Sequence, residues 1–247
     1  MTDDALEMRE PPAGAPWGLR DMVVAGLATI GLVIVGVVIA VALSFAWTAL
    51  GLPELSQGAQ VFLIFGLEAL LIVPAWVWGP GKHGGGWARL GLRPFAPLPG
   101  LAWAFGGLLA ILGINVVWEG IRQQLGWPGQ PDFLPVSGEG IGGLLLALLL
   151  GGVVAPVAEE VFFRGYLYAG TRHVWGVVWG AIASSLIFAV VHVVPGVLPP
   201  IFVMALIFVV IYERTRSLWP CIILHGAVNA LAFIGAFLAE RFPEMMG

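Results

Sequence analysis

Polar side chains lie in three groups inside otherwise apolar stretches of this 247-residue sequence. They belong to six residues: Glu159, Glu160, Arg164, His192, His225 and Asn229. Ionisable side chains are costly inside a bilayer, so those that are retained there usually have a function. Carboxylate, imidazole and amide groups together could activate a water molecule and stabilise a developing negative charge.

The first group is Glu159 and Glu160, followed by Arg164. Glu160 and Arg164 are four residues apart, so they share a helix face and can form an ion pair. Glu159 points about 100° away on the same helix and has no local cation, which suits it to act as a general base. Pro156 removes a helical hydrogen bond just before the acids, so we expect a weakened helix there. The alternative is a water-exposed helix end where these charges only pair.

The second group is His192, four residues after Phe188 and on the same helix face. A row of small residues, Gly176, Gly180 and Ser184, continues this face and predicts close helix packing. His192 is therefore either part of a site beside this packed face or an interfacial histidine that ends its helix.

The third group is His225 and Asn229, again four residues apart and separated by small side chains. An imidazole N–H and a side-chain amide are both suitable donors to an oxyanion. Alternatively, the pair holds helices together by hydrogen bonds. Glu68 and Asn115 are further polar residues within apolar stretches, and they either support the site or pair locally.

The composition indicates that most of the surface faces lipid. The chain is 59% hydrophobic and only 11% charged, and its mean hydropathy is +0.95. Soluble domains usually carry about 25% charged residues. No basic stripe of the kind that binds nucleic acid occurs, and the single cysteine, Cys221, excludes an intrachain disulfide.

Apolar runs long enough to cross a bilayer predict an all-α, polytopic transmembrane bundle of about seven spans, or eight. The predicted spans are Met22–Leu50, Gln60–Trp78, Pro99–Trp118, Ile141–Tyr168, Val174–His192, Pro200–Tyr212 and Leu218–Ala239. The polar groups place a cavity between the fourth, fifth and seventh spans. Residues 1–17 are predicted to be a flexible tail, and residues 18–247 a single integral-membrane domain. The stretch Trp87–Leu90 predicts a short interfacial helix.

The distribution of positive charge predicts a cytoplasmic N-terminus and an outer C-terminus, in a protein of the plasma membrane. With this orientation nine cationic residues lie inside and two outside, as the positive-inside rule requires. The inner ones are Arg9, Arg20, Lys82, Arg89, Arg93, Arg164, Arg172, Arg214 and Arg216, and the outer ones are Arg122 and Arg241.

Three motifs, in order and in successive apolar segments, resemble those of the CPBP family of intramembrane proteases. They are Glu-Glu-x-x-x-Arg at 159–164, Phe-x-x-x-His at 188–192 and His-x-x-x-Asn at 225–229. This family includes the type II CAAX prenyl endopeptidases and bacteriocin-processing proteases, also described as the abortive-infection domain. The resemblance covers residues 138–237, which would form the catalytic core.

The resemblance implies a role for each motif residue. Glu159 would activate water with help from His192, and Glu160 and Arg164 would hold the surroundings of this base. His225 and Asn229 would polarise the scissile carbonyl. If a divalent metal such as zinc is present, Glu159, His192 and His225 are its expected ligands, because two histidines and a glutamate are a known zinc set. The sequence requires no metal.

The predicted function is therefore hydrolysis of peptide bonds in a membrane-associated protein or peptide, either with or without a lipid-modified tail. An ion- or proton-coupled transporter and a non-catalytic membrane scaffold are the alternatives. One feature fits poorly. His192 lies about 27 Å along its predicted helix and His225 only about 10 Å along its own. The two depths therefore require strong helix tilts or shifted boundaries.

Overall fold

The computed structural model describes residues 15–51, 66–128 and 140–242 of the chain. Throughout these ranges the regular elements are helices, which confirms the predicted all-α class. The α-helices are α1 (Leu19–Ala49), α2 (Ile72–Trp76), α3 (Gly86–Arg89), α4 (Pro97–Leu125), α5 (Gly140–Leu149), α6 (Ala155–Glu160), α7 (Ala169–Val190), α8 (Leu198–Thr215) and α9 (Trp219–Arg241). The remaining helical turns are π1 (Val77–Gly81), π2 (Leu150–Val154), π3 (Val161–Tyr168) and a 3₁₀ turn, Pro195–Val197.

Five helical segments among the described residues are long and apolar enough to cross a membrane. They are Leu19–Ala49, Pro97–Leu125, Gly140–Val190, Pro195–Thr215 and Trp219–Arg241. The third contains both the fourth and the fifth predicted spans. Residues 60–65 of the second predicted span lie outside the described residues, and its later part forms α2 and π1. The short helix predicted after the second span is α3.

A reversal at Gly176 separates the fourth span from the fifth. Gly176 has φ 79° and ψ 176°, a conformation that glycine adopts far more easily than any other residue. Across this turn Thr171 Oγ1 donates a hydrogen bond to the carbonyl of Gly180 at 3.2 Å. The chain therefore folds back on itself, so residues equally distant from Gly176 lie at similar depths.

The helix that carries the acidic pair is irregular on both sides of it. π2 precedes α6, where Gly151, Gly152 and Pro156 weaken the regular hydrogen bonding, as the sequence predicts. π3 follows directly after Glu160 and includes Arg164. Such π-helical turns often occur at functional sites because they redirect side chains.

The end of the predicted N-terminal tail is packed against the core. Trp17 is fully buried, stacks on Tyr166 with 5.3 Å between ring centroids, and donates Nε1–H to the Tyr166 carbonyl at 2.9 Å. Residues 1–14 lie outside the described residues. The domain therefore includes Ala15 and Trp17, both of which are buried.

Candidate functional site

Glu160 and Arg164 form the buried centre of the site. Arg164 Nη1 donates to Glu160 Oε1 at 2.8 Å, so the predicted ion pair is present. The guanidinium carbon lies 4.2 Å from the ring centroid of Phe188 and 4.7 Å from that of Phe208. Two aromatic faces thus stabilise the cation from both neighbouring helices, since the rings present negative potential to it.

His225 joins the two glutamates. Its Nδ1 lies 3.0 Å from Glu160 Oε1, and its Nε2 lies 3.8 Å from Glu159 Oε2. Because an ionised carboxylate only accepts hydrogen bonds, the bond to Glu160 assigns a hydrogen to Nδ1. Nε2 is thereby directed toward Glu159. The distance of 3.8 Å is too long for a direct hydrogen bond but suits a bridging water or substrate atom.

Glu159 faces His225, and, like Glu160, it has one buried carboxylate oxygen without a hydrogen-bond partner. Its Oε2 is buried and has no hydrogen-bond partner, while its side chain keeps 14% exposure. Among the described residues, no lysine or arginine forms a salt bridge with Glu159, as the sequence predicts. The imidazole of His225 lies within salt-bridge distance of it. This carboxylate can therefore accept a proton from a molecule that enters beside His225.

Asn229 stabilises the irregular helix before the acids. Its Nδ2 donates to the carbonyl of Gly151 in π2 at 2.8 Å, which satisfies a backbone group in the weakened region. One amide hydrogen and the side-chain oxygen remain for other partners. This hydrogen bond holds α9 against π2, as one of the two predicted roles requires, and the second amide hydrogen is left for a further acceptor.

Two glycines set the distance between α9 and π2. A Cβ atom on Gly226 would lie 2.5 Å from the Gly152 carbonyl oxygen, closer than any real side chain permits. The helices consequently approach backbone to backbone directly beside His225. This contact brings His225 within reach of the acids.

His192 lies at the edge of the cluster. Its Nδ1 is bonded to the carbonyl oxygen of Phe188 at 2.8 Å, and its ring is 5.0 Å from the Phe188 ring. The Phe188 ring also contacts Arg164 and His225. His192 is thus connected to the acidic pair through an aromatic ring, and its Nε2 is left free by the bond to Phe188.

The depth conflict between His192 and His225 has a structural explanation. Glu160 and His192 each lie sixteen residues from the reversal at Gly176, so they reach similar depths. α9 begins directly after Leu218, whose side chain would lie 3.2 Å from a Cβ on Gly165. His225 reaches Glu160 from this helix, although it lies closer to the start of its helix than His192 does.

Glu68 adds a third carboxyl group near this cluster. It is close enough to Glu159 for their charges to interact, and its Oε2 is buried without a hydrogen-bond partner. Asn115 is exposed on α4.

Sequence reasoning did not identify Phe208, Ala205 or the Gly151 carbonyl. Phe208 packs on Arg164, and its ring is 5.2 Å from that of His225. The Ala205 carbonyl accepts a bond from Arg164 Nη2 at 3.5 Å. These contacts join different helices, so no local spacing could have indicated them.

The expected metal ligands do not form a ligand set in this arrangement. Among the described residues, no three histidine, cysteine, aspartate or glutamate side chains are grouped to hold a metal ion. Glu159 and His225 face each other, whereas the Nδ1 of His192 is bonded to a backbone carbonyl. We therefore assign no catalytic step to a metal.

Residues 141–231 match the family described as Rce1-like, type II CAAX prenyl endopeptidase. The comparisons with curated proteins and with solved structures gave no match. The matched range contains all six candidate residues, confirms the resemblance to CPBP intramembrane proteases and favours a peptidase over a transporter or a scaffold.

Proposed function

We propose that this membrane protein, whose residues 141–231 match a family of CAAX-type intramembrane proteases, hydrolyses peptide bonds with a water activated by Glu159. The observation that carries this proposal is the position of the unpaired Glu159 Oε2, 3.8 Å from His225 Nε2. A base and a hydrogen-bond donor at this separation can bind the attacking water and the scissile carbonyl side by side.

In the first step, Glu159 accepts a proton from the water, and the oxygen of the water bonds to the carbonyl carbon. The carbonyl electron pair moves to the oxygen, where His225 Nε2–H and the remaining Asn229 N–H stabilise it. In this scheme His225 has a proton on both ring nitrogens. Its positive charge and that of Arg164 then balance the negative charges of Glu159 and Glu160. We propose that His192 helps to position the water through its free Nε2.

In the second step, the tetrahedral intermediate collapses and the C–N bond breaks. Protonated Glu159 returns its proton to the departing amine, so the acid and base roles are exchanged on one side chain. Glu160 and Arg164 act as positioning residues in this scheme, because Glu160 is hydrogen-bonded to His225 and Arg164 donates to the same oxygen of Glu160. No covalent acyl-enzyme forms in this scheme.

The proposed substrate is a membrane-associated protein or peptide, and the family description suggests a prenylated C-terminal tail as the first candidate. A lipid-modified tail would enter from the bilayer, where a prenyl chain is already soluble. We further propose that the protein lies in the plasma membrane. The charge distribution described above supports an N-terminus in the cytoplasm.

The experiment is cleavage of membrane-anchored peptides, with and without a prenyl group, by purified protein in proteoliposomes. We expect Glu159→Gln to reduce turnover by at least about a thousandfold, since it removes the proton acceptor. Glu240→Gln, at an exposed glutamate near the end of α9, is the matched control and should keep full activity. Equal turnover by the wild-type protein and a folded Glu159→Gln variant would contradict the proposal.

A further inference from the structure

Four arginines lie at an end of the helical bundle away from the acidic pair, and two of them pair with one carboxylate. This arginine cluster consists of Arg93, Arg172, Arg214 and Arg216. Arg172 lies in the first turn of α7, Arg214 lies in the last turn of α8, and Arg216 follows α8 directly. The cluster thus lies where predicted spans meet the surface of the membrane.

Glu213 is the carboxylate shared by two of these arginines. Its Oε1 lies 3.0 Å from Arg172 Nε, and its Oε2 lies 2.8 Å from Arg216 Nη1. Tyr168 also donates its hydroxyl hydrogen to Oε1 at 2.9 Å. Both carboxylate oxygens are therefore in use, whereas each guanidinium keeps further N–H donors.

Arg93 is fixed beside the same region by the backbone. Its Nε donates to the carbonyl of Arg216, and Ser217 Oγ donates to the Arg93 carbonyl at 2.7 Å. Arg214 packs over Trp103 of α4, with 5.2 Å from its guanidinium carbon to the ring centroid. The four side chains are held in place by contacts to separate elements.

The arginine cluster carries more positive than negative charge. It contains four arginines and Glu213, and two of the arginines, Arg172 and Arg216, pair with the Glu213 carboxylate, which keeps only 16% side-chain exposure. The side chains of Arg172 and Arg216 are 30% and 39% exposed, so their free donors reach the surface. Convergent guanidinium groups recognise phosphate by paired N–H···O bonds.

We propose that the arginine cluster binds the phosphate group of an anionic membrane lipid, mainly between Arg172 and Arg216. A lipid suits this location because the cluster lies at the ends of spanning helices, at the level of the headgroups. General attraction of basic residues to an anionic surface needs only charge. A specific site depends in addition on which arginines are present. The inference is independent of the peptidase reaction.

The test measures thermal unfolding of the purified protein in nanodiscs of phosphatidylcholine with increasing amounts of phosphatidylglycerol. For the wild-type protein we expect a saturable rise in the unfolding midpoint. The double variant Arg172→Gln with Arg216→Gln should need at least about tenfold more phosphatidylglycerol, because it loses two charge-assisted contacts. If the double variant does not fold, Arg216→Gln alone should weaken the response in the same direction.

Two further variants distinguish a specific site from general surface charge. Glu213→Gln removes the competing carboxylate, so the effect of phosphatidylglycerol on its unfolding midpoint should exceed that on the wild type. Arg122→Gln removes a cation that pairs with Glu119 at 2.6 Å near the end of α4 and should leave the wild-type response unchanged. An identical response from the wild type and all variants would overturn the proposal. A full response to inorganic phosphate in phosphatidylcholine nanodiscs would overturn the lipid as the ligand.

Discussion

At the scale of single residues, the site is organised by one carboxylate oxygen. Glu160 Oε1 accepts from Arg164 at 2.8 Å and from His225 at 3.0 Å. These two donors fix the orientation of the imidazole and leave its other nitrogen facing Glu159. The residue that orients the site is therefore the acid that does not contact the substrate in the proposed reaction.

The ion pair can be separated from the chemistry by a double-mutant cycle. Arg164→Met leaves the charge of Glu160 buried, and removing one partner of a buried pair costs about 3–5 kcal/mol. Adding Glu160→Gln removes this charge, so the double variant should recover most of the lost stability. It should still have low turnover because His225 loses its orienting carboxylate. Thermal unfolding and peptide cleavage of the four proteins measure both effects.

The informative comparison is stability against activity within this cycle. If the double variant recovered turnover together with stability, Glu160 and Arg164 would contribute only to folding. If both single variants were as stable as the wild type, the pair would not be buried as described.

At the scale of elements, the site depends on how closely α9 approaches π2. Asn229 bonds to Gly151, and Gly226 leaves no room for a side chain against Gly152. The close contact at Gly226 and the hydrogen bond of Asn229 both lie within the helical turn that begins at His225. A small displacement of α9 would therefore widen the distance of 3.8 Å between His225 and Glu159.

We expect Gly226→Ala to lower turnover at least about a hundredfold, since misplacement by about 1 Å can have such an effect. Its Cβ would lie 2.5 Å from the Gly152 carbonyl oxygen, so α9 must move. Gly235→Ala is the control on the same helix, because its Cβ would meet nothing within 4 Å. Cleavage assays should find the control fully active, and equal activity of both variants would contradict the tight contact.

The sequence predicted the elements better than their relative levels. Long apolar runs fix where α1, α4, α8 and α9 lie, because each must cover the thickness of a bilayer. The spacing of Glu160 and Arg164 likewise fixed their pairing, since a single helical turn connects them. The close approach of α9 to π2 and the packing of Phe208 on Arg164 depend on contacts between distant segments. No local pattern contains that information.

At the scale of the whole molecule, the charge at one end and the exposed apolar faces predict its orientation in the membrane. Val38, Phe45, Leu98 and Val116 are among the large apolar side chains that are more than half exposed, as lipid-facing residues would be. The arginine cluster lies at one end of the spanning helices. The charge distribution predicts that this end faces the cytoplasm. A direct measurement of sidedness therefore tests the topology and the setting of the cluster together.

Single-cysteine labelling provides this measurement, because the natural Cys221 is fully buried and bonded to the Phe208 carbonyl at 3.3 Å. Cysteine at Ala88, in the exposed helix α3, should react with a membrane-impermeant maleimide only in inside-out vesicles. Cysteine at Glu240, after an odd number of spans, should react only in right-side-out vesicles. Labelling of both positions from one side would mean an even number of spans between Ala88 and Glu240, where the prediction has five. The predicted seven-span arrangement would then be wrong. Reaction of the two positions from opposite sides, with α3 inside, would instead place the arginine cluster against the cytoplasmic leaflet.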